Sequence, residues 1–165
     1  MKVSRGLIPS TLLAALVYAQ PWVSSMAADT AAGSSMVNPA GIKWMDAPPN
    51  MPKGAKLAVL HGDPGKPGPF TLRLMAPANY KIAPHTHTQD ENLTVISGSL
   101  YLAMGEKADN SKAHALKAGG FHFLPGKTAH YAFTKSPTVV QVHGEGPFDL
   151  NYINPSDNPD KGAKQ

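Results

Sequence analysis

Glycine and proline interrupt this chain about once every five residues: 15 glycines and 16 prolines among 165, close to 19% against roughly 12% in average usage. Proline removes a backbone donor and fixes φ, and glycine loses the most freedom on ordering, so a chain punctuated this often does not sustain long helices. Short strands joined by turns accommodate the same residues at their ends. With 42% hydrophobic residues the chain still has the material for a core. Its length suits one domain of ordinary size.

The apolar segments fit that reading. Leu57 to Leu60 stops at the turn cluster Gly62-Asp63-Pro64-Gly65. Phe70 to Met75 sets Phe70, Leu72 and Leu74 against Thr71, Arg73 and Met75, a period of two. Leu93 to Ile96 and Leu100 to Met104 flank Ser97-Gly98-Ser99 and predict a tight hairpin. Phe121 to Leu124, Tyr131 to Phe133 and Thr138 to Val142 follow, each set off by proline or glycine. No long segment after the first thirty residues keeps a 3.6-residue period. The expectation is an all-β barrel or sandwich of roughly eight to ten strands.

The first residues read differently. Lys2 and Arg5 precede a stretch without charge up to Asp29, centred on Leu12-Leu13-Ala14-Ala15-Leu16-Val17, and Ser25-Met26-Ala27 offers small residues for cleavage before Ala28. That is the build of a secretory signal peptide over residues 1–27. The alternative, an uncleaved anchor, has too short an apolar centre, interrupted by Pro9, Gln20 and Pro21. Residues 28–54 read as a flexible leader and N-terminal arm, 55–153 as the β-barrel and 154–165 as a polar tail. Removing residues 1–27 takes the 15 basic residues to 13 against 11 acidic ones, a charge of +2. The remaining Lys and Arg are scattered singly, which argues against nucleic acid as a partner. There are no cysteines, so disulfides, thiolate zinc sites, Fe–S clusters, cysteine nucleophiles and a lipoprotein anchor are all excluded. The expected location is exported, periplasmic or secreted, with no stable membrane anchor after cleavage.

Seven histidines remain to be placed. In an extended segment His85 and His87 point to one side, and Glu91 follows four residues later. Two imidazoles and a carboxylate on one side form an open ligand set for a divalent first-row metal: Fe, Mn, Ni, Cu or Zn rather than Ca or Mg. His130, after the turn at Pro125-Gly126, can close the site from across a barrel.

Residues 85–98, with His85, His87, Glu91 and Gly98, match in spacing the first motif of the cupin superfamily, H-x-H-x3-E-x6-G. Residues 119–130, with Gly119, Pro125 and His130, match the second. Three positions depart: Asn79 stands where a glycine is expected, Gly126 sits one place early with Lys127 at the usual glycine site, and Thr134 replaces a frequent Asn. The chain thus resembles a single-domain cupin over residues 55–153. The resemblance implies an antiparallel jelly roll (a double-stranded β-helix) holding one divalent metal by His85, His87, Glu91 and His130, and a homodimer paired through sheet edges. The same stretch is similar to the cupin half of zinc-binding anti-sigma factors.

Other residues are ambiguous. Gln141 and His143 share one face of a strand, and Val140 and Val142 share the other. If the polar face lines the cavity, Gln141 and His143 become candidates for orienting a ligand or moving a proton; if the valines do, the pair is surface. Arg73 carries the same alternative. Tyr101, Tyr131, Phe133 and Phe148 read as core or pocket wall, His61 and His114 as exposed, and His122 as surface or loosely packed. Two functions follow: an exported mononuclear metalloenzyme, oxygenase- or oxidase-like, acting on a small molecule with Glu91 or His143 as catalytic candidates, or a non-catalytic periplasmic metal- or ligand-binding and sensing protein.

Overall fold

The computed structural model describes residues 34–162; the signal-peptide reading of residues 1–27 lies outside them. Eleven strands run through the described residues: β1 (Met45–Asp46), β2 (Lys56–His61), β3 (Gly68–Ala76), β4 (Lys81–Thr86), β5 (Glu91–Ser97), β6 (Ser99–Met104), β7 (His114–Lys117), β8 (Phe121–Leu124), β9 (His130–Thr134), β10 (Thr138–Gly146) and β11 (Asn151–Tyr152). They form two antiparallel sheets, β1-β2-β3-β10-β5-β8 and β11-β4-β9-β6-β7, the jelly-roll architecture the sequence predicts. Among the described residues no helix is long and apolar enough to cross a membrane.

Alternation decides which side chains the sheets trap between them. Phe70, Leu72, Leu93, Val95, Val140 and Val142 from the first sheet meet Leu100, Leu102 and Ala132 from the second in one buried cluster. Val140 and Val142 are 4% and 5% exposed, so the residues between them face outward. Gln141 pairs with Arg73 across β10 and β3, and the Arg73 Nε donates to Gln141 Oε1 at 3.1 Å. His143 is exposed on that outer face.

One expectation needs correction. Ser97-Gly98-Ser99 is not the turn of a hairpin: β5 and β6 lie in different sheets, so Gly98 is the corner where the chain crosses between them. Its φ is +77°, and a Cβ there would stand 2.4 Å from the Pro137 carbonyl oxygen. Of the residues expected as core or pocket wall, Tyr131 and Phe133 are buried, 3% and 8% exposed, and Tyr101 is half-buried. They occupy the opposite phase to Leu100, Leu102 and Ala132, with Tyr101 stacked on Phe133 at 5.0 Å and Tyr131 bonded to the Asp109 backbone. Asn79, the residue in place of the expected glycine, does adopt a positive φ of 61°.

Candidate metal centre

Four elements bring polar side chains to one place between the sheets. β4 supplies His85, the turn after it His87, the first residue of β5 Glu91, and the first residue of β9 His130. His85 and His130 are direct cross-strand partners. His87 lies beyond the end of β4 and is fixed by its surroundings instead. Its carbonyl accepts from Lys127 N at 2.7 Å, and the next residue, Thr88, donates through N and Oγ1 to the Asp149 carboxylate at 2.7 and 2.6 Å. Phe148 stacks on the His87 ring, centroids 4.3 Å apart. Lys127 makes its bond from a left-handed conformation, φ +64°, at the position where the motif ordinarily has glycine.

Each imidazole has its Nδ1 against a backbone carbonyl: His85 on Ala83 at 2.7 Å, His87 on Asp149 at 2.5 Å, His130 on Thr128 at 3.1 Å. A carbonyl only accepts, so Nδ1 carries the proton in all three rings and Nε2 is left with a free lone pair. The ligand nitrogens of the three histidines lie within 4.8 Å of one another. Glu91 Oε2 stands 3.7 Å from His130 Nε2 and 3.9 Å from His87 Nε2, too far for hydrogen bonds. That oxygen is buried and has no hydrogen-bond partner.

Burial drives the electrostatics. It pushes His85 down to about 2, helped by the neighbouring His130 and His87, and His130 down to about 4. His87 is also lowered by burial, against the opposing effect of its bond to Asp149. Burial raises Glu91 to about 7. The histidines are therefore neutral, and the contacts to Glu91 are not ion pairs. Lone pairs converging without a donor between them are costly in a buried site. A cation removes that cost, and spacings of this size suit atoms sharing one ion at bonds of about 2.0–2.2 Å. The donor set fits a divalent first-row metal.

His85, His87 and Glu91 form one end of a cavity of about 460 Å³. The walls are largely apolar and include Phe148 from the segment after β10. Residues of the N-terminal arm complete the rim, held by Tyr152 Oη donating to the Asn50 carbonyl at 3.0 Å and Tyr80 Oη donating to that of Pro52 at 2.8 Å. Gln141, His143 and Arg73 are on the far side of the first sheet and do not reach this cavity, because the valines take the interior. His61 and His114 are exposed and His122 half-buried. Sequence reasoning missed Asp149 and the arm, since Asp149 orients His87 through a carbonyl that every residue possesses.

Solved structures of the same fold include the polyketide cyclase RemF from Streptomyces resistomycificus, 18% identical, with a TM-score of 0.64 over 78% of this chain and 91% of that one. A candidate acetylacetone dioxygenase from Methylibium petroleiphilum PM1 is 18% identical, TM-score 0.59, over 77% and 85%. An RmlC-like cupin from Ralstonia eutropha JMP134 is 19% identical, TM-score 0.57, over 76% of each chain. The fold is thus that of the cupins. No curated protein matches the sequence. The family whose profile covers residues 31–151 is described as a domain of unknown function, and the chain belongs to that family, DUF4437.

Proposed function

We propose that the chain is an exported, mononuclear metalloenzyme that acts on a small molecule with oxygenase- or oxidase-like chemistry. One observation carries the reading: three neutral imidazoles and an unpartnered Glu91 oxygen converge at the end of an open cavity. His85, His87, Glu91 and His130 hold the ion, and Fe, Mn, Ni, Cu or Zn bound there supplies Lewis-acid or redox chemistry toward a substrate oxygen. The chain's own part is to fix the rings through backbone carbonyls, to shield His87 from water with Phe148, and to offer in Glu91 a carboxyl that exchanges its proton near neutrality. The cyclase and dioxygenase among its fold neighbours support chemistry on small oxygen-bearing compounds.

Export rests on the composition of residues 1–27. Pairing into a homodimer is supported by the outer strand β8, where Phe121 and Phe123 are 54% and 50% exposed. The test is elemental mass spectrometry of untagged protein isolated from the periplasm, followed by oxygen-uptake screening of the loaded form. About one equivalent of Fe, Mn, Cu or Ni with substrate-dependent oxygen uptake is the expected result. Metal without turnover of any substrate supports the binding and sensing alternative, and no metal after reconstitution overturns the metalloenzyme and metal-binding readings alike, leaving only ligand binding.

A further inference from the structure

We infer that the molecule this cavity takes is uncharged and mainly hydrocarbon, with its polar atoms gathered at one end. The inference rests on the metal reading above only for what that end meets; the rest comes from the cavity wall.

Among the described residues, no lysine or arginine lines the cavity. The acids at its rim are already engaged. Asp46 bonds Lys56 Nζ at 3.0 Å, and both carboxylate oxygens of Asp149 are taken by Thr88 and Asn151. The Nδ1 atoms of His85 and His87 are committed to carbonyls. Among the lining side chains, the uncommitted polar atoms of the interior are therefore His85 Nε2, His87 Nε2 and Glu91 Oε2, gathered at one end, with the Asn50 amide and the outer oxygen of the exposed Asp46 at the rim. Between them stand Met51, Leu57, Leu74, Ile82, Val142 and Phe148.

Such a wall selects by what it cannot replace. A hydroxyl, carboxylate or phosphate on the body of a ligand gives up its water here and finds no partner. A negative group away from the metal end also faces the Asp149 carboxylate, with no lysine or arginine in the lining to offset it. Polyols, sugar acids and phosphorylated compounds are excluded on these grounds. A carbonyl or hydroxyl at the tip of an apolar body satisfies both parts of the site.

The test compares two naphthalene dyes on the full chain without added metal: prodan, a neutral ketone, and 1-anilinonaphthalene-8-sulfonate, an anion. Prodan is expected to bind once per chain, about tenfold or more tighter than the sulfonate. Leu74→Glu or Met51→Glu weakens it about tenfold or more, whereas Ile96→Glu, on an exposed position, leaves it unchanged. Equal or tighter binding of the sulfonate overturns the inference, as does prodan binding insensitive to both wall substitutions. The dye comparison on the unaltered chain stands even where a variant fails to fold. Metal content is measured on the same preparations. Prodan preference in a chain that never takes up metal ends the metal reading and leaves this one intact; a metal-loaded chain that prefers the sulfonate does the reverse.

Discussion

The space between the two sheets has one part filled with hydrocarbon and another filled with lone pairs. In the first, Phe70, Leu93, Val95, Leu102, Ala132 and Val140 pack by shape and apolar area, and a similar residue at any one position serves nearly as well. In the second, His85, His87, Glu91 and His130 are just as buried, but each is held at one angle by a bond or a neighbour. The comparison separates two uses of burial. In the apolar part it is the source of stability; at the histidines it strips away water and makes a cation the missing partner.

Substitutions in the two parts therefore act on different observables. The largest effect belongs to the apolar part: Leu102→Ala is expected to lower unfolding free energy by about 2–5 kcal/mol, while metal per folded chain stays the same; denaturant titration with and without chelator checks both. His130→Ala does the converse, weakening metal affinity on the order of 100-fold or more, beyond what disturbing an outer partner costs, with chelator-competition titration as the measure.

Acidity separates the parts further. In metal-free protein His85 and His130, lowered to about 2 and about 4, stay neutral while unfolded histidines protonate from their ordinary 6.5 downward, so stability falls as pH drops below that value, and the lowered His87 acts in the same direction. Glu91 works the other way: raised from 4.5 to about 7, it contributes fully below 4.5 and loses that contribution as pH rises through about 7. His85 and His130 together outweigh Glu91, so urea midpoints of the metal-free chain should decline between pH 6.5 and pH 4.5. Metal uptake at pH 6 should release close to one proton, absent at pH 8 and absent in Glu91→Gln; unbuffered calorimetry reads this directly. The smallest effect is Lys127→Gly, which relieves a side chain from φ +64° and should add about 0.5–1 kcal/mol to stability without changing metal affinity.

The strands with clean alternation, β3 above all, were readable because period two is written in the residues themselves. Phase is not. Nothing in Thr138 to His143 says which face looks inward, and only the mate strands β3 and β5 decide that the valines do. The first part of β4 carries no signal, because Lys81-Ile82-Ala83-Pro84 shows no alternation and its pairing with β9 is irregular before His85. Gly98 announced a turn, but a hairpin and a corner between sheets require the same backbone. The four convergent residues were legible from local spacing and resemblance. The carbonyls of Ala83, Thr128 and Asp149 were not, since a backbone oxygen has no letter in the sequence.

That last feature bears on how freely the family can drift. Because the orienting acceptors at Ala83 and Thr128 belong to the main chain, replacing either side chain leaves the imidazole angle untouched as long as the strand path holds. Relatives can therefore differ at these positions and still present the same three nitrogens. Position 149 is the exception: its carbonyl is placed by its own carboxylate, which ties it to Thr88. An aspartate retained there, beside freely varying neighbours of the other two histidines, is the evolutionary signature this geometry should leave.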